Sequence, residues 1–107
     1  MEDKLHFIGI GGVGMSAIAK IMLGMGYSIS GSDLQHGRFT GILEAMGATI
    51  YYGHAAANIP VDAQAVVYSS AVKEDNPEMI EAASRGIPIY KRAEMLAFLM
   101  SNKCSIG

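Results

Sequence analysis

Residues 7–16 read FIGIGGVGMS, and this stretch decides the fold class. Gly9, Gly11 and Gly14 match the pattern G-x-G-x-x-G, directly after an apolar run and at the opening of an amphipathic one. Glycines at this spacing permit a tight strand-to-helix turn and let the backbone approach a phosphate, whose charge the helix N-terminus stabilises. The stretch predicts a phosphate-binding turn. The alternative is a tight turn that binds no ligand.

Apolar runs that predict strands alternate along the chain with amphipathic runs that predict helices. The predicted strands are Leu5–Ile10, Tyr27–Gly31, Thr49–Tyr52, Ala65–Tyr68 and Ile87–Tyr90. The predicted helices are Val13–Met25, a segment around Phe39–Met46, a segment from Asn76 to near Gly86, and Arg92–Met100. Right-handed crossovers then favour an α/β fold, a Rossmann-like open doubly wound sheet of five mainly parallel strands in the order 3-2-1-4-5, with helices on both faces.

Length and composition limit the possible partners. The chain has 107 residues, enough for one domain, and a formal net charge of -2, without the clustered Lys and Arg that nucleic acid or an anionic membrane would require. We expect neither partner. The single cysteine, Cys104, cannot close an intramolecular disulfide, and we find no signal-peptide pattern. These features predict a cytoplasmic location.

Polar residues follow the predicted strands, at the end of the sheet where doubly wound folds bind ligands. Asp33 comes 19 residues after Gly14 and ends the second strand, where its carboxylate could accept hydrogen bonds from the hydroxyls of a ribose. The alternative is that Asp33 only caps the following turn. Together with the glycine turn, Asp33 favours a nucleotide over a bare phosphate.

Further candidates carry weaker signals. His54 follows the third strand and could hydrogen-bond a base or a sugar, or its place there is incidental. Ser69 and Ser70 follow the fourth strand and could reach a phosphate or ribose, or are ordinary turn residues. Lys73 and Arg92 are each either solvated or within reach of a phosphate. His6, inside the first strand, is predicted to be a core histidine with satisfied hydrogen bonds.

The sequence contains no recognisable catalytic arrangement. We find no supported Ser/His/Asp set, no metal-ligand spacing and no phosphate loop of the type G-x-x-x-x-G-K-[ST]. The eight methionines are interpreted as core residues rather than metal ligands. We therefore predict no catalytic residue, no metal and no cofactor on this chain, and a domain that binds a ligand without catalysing a reaction alone.

Five segments occur in an order and spacing that resemble a known family: HFIGIGGVGMSAIA (6–19), GSD (31–33), GH (53–54), SSAVKEDNPE (69–78) and RAEML (92–96). The chain resembles the N-terminal domain of the Mur ligases, the amide-forming enzymes of bacterial peptidoglycan synthesis, over essentially all its length. The motifs GIGGVGMS and SSA favour the alanine-adding members. The resemblance implies a Rossmann-like domain that binds the UDP moiety of UDP-N-acetylmuramate.

The resemblance also implies a set of UDP-binding residues. Backbone N–H groups of four residues would face the diphosphate: Gly11, Gly12, Val13 and Gly14. Asp33 would contact the uridine ribose, and His54 would lie beside the uracil. The other wall would be formed by Ser69, Ser70 and Ala71.

The resemblance divides the chain into residues 1–102, the UDP-binding domain, and residues 103–107, the start of a strand that leads to an ATP-binding central domain absent from this chain. The full-length ligase would use ATP and Mg²⁺ to form an acyl phosphate that the amine of L-alanine attacks, through domains other than this one. This chain alone is expected to be inactive. The alternatives are an NAD-binding module of a dehydrogenase or of a nucleotide-sensing regulator, and an interaction domain with a vestigial pocket.

Overall fold

The computed structural model describes residues 4–34, 37–69 and 72–95. Within these residues five strands form one sheet: β1 (Lys4–Ile8), β2 (Ser28–Asp33), β3 (Thr49–Tyr52), β4 (Ala65–Tyr68) and β5 (Ile89–Lys91). The same part of the chain contains the helices α1 (Val13–Gly24), α2 (Arg38–Ala45) and α3 (Pro77–Arg85), and a 3-10 helix, Ala56–Asn58. Residues 92–95 are also helical.

The sheet has the strand order β3-β2-β1-β4-β5, and all its described pairings are parallel. This confirms the predicted fold class and strand order. Strand β1 lies at the centre, paired along its length with β2 and over its last four residues with β4. Because every strand runs in the same direction, the residues that follow the strands meet at one edge of the sheet.

Alternate residues of β1 point to opposite faces of the sheet. Leu5 and Phe7 belong to a buried apolar cluster with residues of α1 and α2, on what we call the α1 face. Ile8 belongs to a smaller cluster with Ala82 of α3, on what we call the α3 face. Helices therefore cover both faces, as predicted for a doubly wound sheet.

Helix α3 begins and ends as its sequence predicts. The Asn76 side chain accepts a hydrogen bond from the backbone N–H of Glu78 at 2.9 Å. Pro77 lies in the first helical turn, where a backbone N–H would have no acceptor within the helix, so the missing N–H of proline costs nothing. Gly86 ends the helix in the left-handed conformation.

Some element boundaries differ from the predictions. Strand β2 continues to Asp33 because Ser32 pairs with Ile8 and Asp33 pairs with Tyr52, although both residues are polar. Strand β5 is shifted to Ile89–Lys91, and the 3-10 helix was not predicted. The predicted segments 96–100 and 103–107 lie outside the described residues. No helix in the described ranges is long and apolar enough to cross a membrane.

Candidate functional site

An open groove of about 550 Å³ lies outside the carboxyl ends of the strands, and we call it the carboxyl-end groove. Its lining includes residues that end or follow β1, β2, β3 and β4: Gly9, Gly11, Gly12, Asp33, His54, Ser69 and Lys73. The volume falls in the range of small-molecule and cofactor sites, which is roughly 300–1,000 Å³. The topology thus brings together four segments that are distant in sequence.

The glycine turn forms one wall of this groove and is held by backbone hydrogen bonds. Gly9 has φ of 77°, a conformation that residues with a side chain rarely adopt. The N–H groups of Gly9 and Ile10 both donate to the carbonyl of Ser32, at 2.8 and 3.0 Å, and the N–H of Gly12 donates to the carbonyl of Gly9 at 3.2 Å. The turn is therefore anchored to β2 before α1 begins.

The carboxylate of Asp33 is fixed at the rim of the glycine turn. The N–H of Gly11 donates to its Oδ2 at 2.8 Å, and the N–H of Leu34 donates to its Oδ1 at 2.7 Å. A Cβ on Gly11 would lie 2.7 Å from the same Oδ2, so the close approach requires a glycine. Each carboxylate oxygen keeps a second lone pair, which can accept a hydrogen bond from a hydroxyl.

The first turn of α1, which follows the glycine turn, has backbone donors without acceptors inside the helix. The helix has neither a side-chain cap nor an acidic residue in its first turn, and its first backbone bond runs from the N–H of Ser16 to the carbonyl of Gly12 at 2.8 Å. Preceding N–H groups, which include those of Val13 and Gly14, have no acceptor within a helix. Arg92 lies against this turn, since a Cβ on Gly14 would be 2.7 Å from its Cδ. An uncapped helix start with a nearby cation suits an anion.

Seven of the nine predicted UDP-binding residues lie in the described part of the chain. Asp33, His54, Ser69 and the glycines at 11 and 12 line the groove. The N–H of Gly11 and the N–H of Gly12 have internal acceptors, so Val13 and Gly14 offer the freer N–H groups of the predicted set. Residues 70 and 71 lie outside the described part of the chain.

The Nδ1 side of the His54 ring contacts buried polar groups. Its Nδ1 lies 2.9 Å from Oγ of Ser32 and 3.3 Å from Oε2 of Glu78, and its side chain is 18% exposed. Glu78 has no exposed area. Its carboxylate also accepts hydrogen bonds from the backbone N–H of Ala55, just before the 3-10 helix, and from the side chain of Asn58 in that helix, each at 3.1 Å. The histidine ring is therefore oriented by contacts on one side and borders the groove.

Glu78 also binds the core histidine. Nε2 of His6 lies 2.5 Å from its Oε1, and Nδ1 of His6 lies 2.9 Å from Oγ of Ser30, which confirms that His6 is buried with both ring nitrogens satisfied. Burial by itself raises the pKa of Glu78, but the hydrogen bond and charge of His6, with hydrogen bonds from Asn58 and Ser32, bring the pKa below its ordinary value. Glu78 is therefore ionised at neutral pH.

Sequence reasoning missed Glu78 as part of the site and gave Ser32 no role in it. Glu78 occupies the first turn of a helix, where an exposed acid is common because it interacts favourably with the helix dipole. Ser32 was interpreted only as a residue at a strand end. The available signal was His6, because a histidine in a buried strand requires hydrogen-bond partners that the sequence must supply elsewhere.

Metal ligation finds no support in the described ranges, where no three His, Cys, Asp or Glu side chains are grouped as metal ligands. The ATP and Mg²⁺ that the family resemblance implies for a full-length ligase do not fit the residues present. The sequence contains no G-x-x-x-x-G-K-[ST] loop to hold the phosphates of ATP.

Residues 4–104 match the family model described as Mur ligase family, catalytic domain. The UDP-N-acetylmuramate--L-alanine ligase of Aquifex aeolicus (strain VF5) is 58% identical over 104 residues, which cover 97% of this chain and 23% of that protein. The protein of the same name from Geobacter sp. (strain M21) is 54% identical over 105 residues, covering 98% and 23%. The crystal structure of the UDP-N-acetylmuramate-alanine ligase MurC from Thermotoga maritima has a TM-score of 0.88 and 34% identity, over 92% of this chain and 23% of that chain.

This chain thus spans 23% of the length of these curated relatives. The matched region includes every segment that forms the carboxyl-end groove, and the solved structure shares the fold over nearly all of the chain. The family model covers far more than half of the 107 residues. The chain belongs to the Mur ligase family.

Proposed function

We propose that this chain binds the UDP moiety of UDP-N-acetylmuramate, as the N-terminal domain of an ATP-dependent ligase that adds L-alanine in peptidoglycan synthesis. The observation that carries the proposal is the groove itself, built from a glycine turn, Asp33 and His54, in a chain whose relatives are named as that ligase. Family membership favours a uridine nucleotide over NAD, although the glycine turn and Asp33 alone suit both.

The order of the groove residues across the sheet supports a nucleoside diphosphate. The glycine turn follows β1, Asp33 ends β2, and His54 follows β3, and these strands are neighbours in that order. In a nucleoside diphosphate the ribose lies between the phosphates and the base. The diphosphate would therefore lie at the start of α1, the ribose at Asp33 and the base at His54, over two strand spacings of about 5 Å each.

Each group has a defined binding role in this proposal. The N–H groups of Val13 and Gly14 donate to the diphosphate, and the helix dipole and Arg92 stabilise its charge. The Asp33 carboxylate, which the N–H groups of Gly11 and Leu34 already orient, accepts hydrogen bonds from the ribose hydroxyls. Ser69 supplies a polar opposite wall from the end of β4.

The direct test is calorimetric titration of this chain with UDP-N-acetylmuramate, UDP and NAD. We expect saturable binding of the two uridine ligands and none of NAD. Asp33→Asn keeps the shape of the side chain but removes its charge, and should weaken UDP binding about tenfold or more. Asp62→Asn is the matched control, because Asp62 pairs with Lys4 near the amino end of β1.

Two outcomes would contradict the proposal. Binding of NAD without binding of UDP would indicate that the glycine turn binds a dinucleotide. Equal UDP affinity for the Asp33→Asn and Asp62→Asn variants would remove Asp33 from the binding site. With ATP, Mg²⁺ and L-alanine added, we expect no amide formation by this chain alone, because the sequence has no phosphate loop for ATP.

A further inference from the structure

The buried carboxylate of Glu78 lies directly behind the histidine that borders the groove. Its Oε1 is 2.5 Å from Nε2 of His6 and 2.8 Å from Oγ of Ser32. Its Oε2 contacts Nδ1 of His54 and also accepts from the backbone N–H of Ala55 and from the Asn58 side chain. Each of these neighbours can donate a hydrogen bond to the carboxylate. Because the carboxylate is ionised, it has no proton to donate and only accepts hydrogen bonds.

Counting protons through these contacts assigns the tautomer of His54. Ser32 has one hydroxyl proton, which it donates to the Glu78 carboxylate, since the carboxylate has none to give. In its 2.9 Å contact with Nδ1 of His54 the Ser32 oxygen must therefore accept. The second contact of Nδ1, with Oε2 of Glu78, also requires a proton on that nitrogen.

The other ring nitrogen of His54 is then an acceptor. A neutral imidazole carries one N–H, so a proton on Nδ1 leaves a lone pair on Nε2. No described residue forms a hydrogen bond with Nε2, and the ring borders the carboxyl-end groove. A ligand in this groove can therefore satisfy Nε2 only by donating a hydrogen bond.

We propose that Glu78 is a positioning residue that sets base specificity: through Ser32 it holds the His54 proton on Nδ1, so that Nε2 accepts a hydrogen bond from the imide N–H of uracil. This inference rests on the proposed function, because it needs a uridine nucleotide in the groove. Cytosine presents a lone pair at the corresponding ring nitrogen and would face Nε2 with two acceptors. Neither Nε2 of His54 nor the cytosine nitrogen would then receive a hydrogen bond, and these two unsatisfied acceptors disfavour the cytidine ligand.

The tautomer can be measured directly on the unmodified chain. In ¹⁵N NMR spectra recorded at about pH 8, we expect His54 to show a protonated Nδ1 and an unprotonated Nε2. A proton on Nε2 instead would overturn the inference. This measurement needs no variant, so it does not depend on how well a substituted chain folds.

The functional test compares UDP with CDP by calorimetry in the unmodified chain and in two variants. Glu78→Gln replaces an acceptor-only group by an amide, which cannot satisfy all the surrounding donors or hold the proton on Nδ1. We expect UDP to bind the unmodified chain more tightly than CDP, and the ratio of affinities to fall about tenfold in Glu78→Gln. Glu81→Gln is the control on the same helix, and its ratio should not change, because Glu81 pairs with Arg85.

The outcomes separate this inference from the function on which it rests. UDP binding with the same UDP-to-CDP ratio in Glu78→Gln and in the unmodified chain would overturn the role of Glu78 and leave the proposed function standing. Failure of the unmodified chain to bind UDP would overturn both. A reduced ratio in Glu78→Gln, with His54 protonated on Nδ1 in the unmodified chain, would support the assignment.

Discussion

The two faces of the sheet bury comparable positions of β1 in different ways. On the α1 face, Leu5 and Phe7 pack into a cluster of apolar side chains that includes residues of α1, α2 and the other strands. On the α3 face, His6 occupies a fully buried position next to Ile8 and hydrogen-bonds Glu78 at the start of α3. One face is stabilised by removal of apolar surface from water, and the other depends in addition on matched donors and acceptors.

This difference indicates how the domain divides its tasks. Apolar packing is non-directional, so the α1 face can hold the helices against the sheet without fixing any one polar group. Hydrogen bonds have direction, and the network on the α3 face reaches the carboxyl-end groove through Ser32 and His54. The face with the buried charge is therefore the one that orients a groove residue.

The largest expected effect is on the α1 face. Phe7 has no exposed area, and Phe7→Ala should lower the free energy of unfolding by about 3–5 kcal/mol, because it removes apolar contacts and leaves a cavity. Urea denaturation measures the loss. Phe7→Leu, which keeps most of the volume, should lose clearly less. If the folded Phe7→Ala protein also lost its preference for UDP over CDP, the separation between the two faces would be wrong.

The next effect is on the α3 face. Glu78→Gln should lower the free energy of unfolding by about 2–4 kcal/mol, since the amide leaves buried donors or the His6 contact unsatisfied. Glu81→Gln on the same helix should stay within about 0.5 kcal/mol, because its pair with Arg85 is partly exposed. Equal losses for the two variants in urea denaturation would show that the buried network adds nothing to stability.

A smaller effect is expected at the glycine turn, which follows β1. A Cβ at position 11 would lie 2.7 Å from Oδ2 of Asp33 and 3.1 Å from Cγ2 of Thr40, so Gly11→Ala must displace the carboxylate. We expect a loss of about 1–2 kcal/mol in stability and weaker UDP binding by calorimetry. Gly24→Ala, at the far end of α1, is the matched control, since an added Cβ there would meet no heavy atom within 4 Å. Equal UDP affinity in both variants would contradict the role assigned to the Gly11 contact.

The smallest effect should come from acidification. The pKa of Glu78 in the folded chain lies below its ordinary value of 4.5, so its ionised form stabilises the fold at neutral pH, and this contribution is lost as the pH falls through the folded-state pKa. Thermal unfolding between about pH 6 and pH 3 should show a steeper decrease of Tm for the unmodified chain than for Glu78→Gln. If Tm decreased equally with pH in both proteins, the loss of stability in acid would come from carboxylates other than Glu78.

Much of the fold could be predicted from the sequence because its patterns are local. The apolar runs at Thr49–Tyr52 and Ala65–Tyr68 were predicted with the bounds that the structure has, and Asn76 and Gly86 marked the limits of α3. Asp33 was predicted to end the second strand, as it does in β2, but the apolar run stopped at Gly31, and only the pairing of Ser32 and Asp33 with other strands shows that both residues belong to the strand. The family resemblance predicted the groove residues, and those at 33, 54 and 69 do line one groove.

The sequence by itself determined the order of strands and helices, the glycine turn and the family, because periodicity, turn chemistry and motif spacing are properties of neighbouring residues. Only the tertiary structure decided that Glu78 is buried, that it joins His6 to Ser32 and His54, and that Asp33 accepts the Gly11 N–H. Those contacts join residues 22 to 72 positions apart. Burial and hydrogen-bond partners of this kind depend on how separate elements pack, and no local pattern records them.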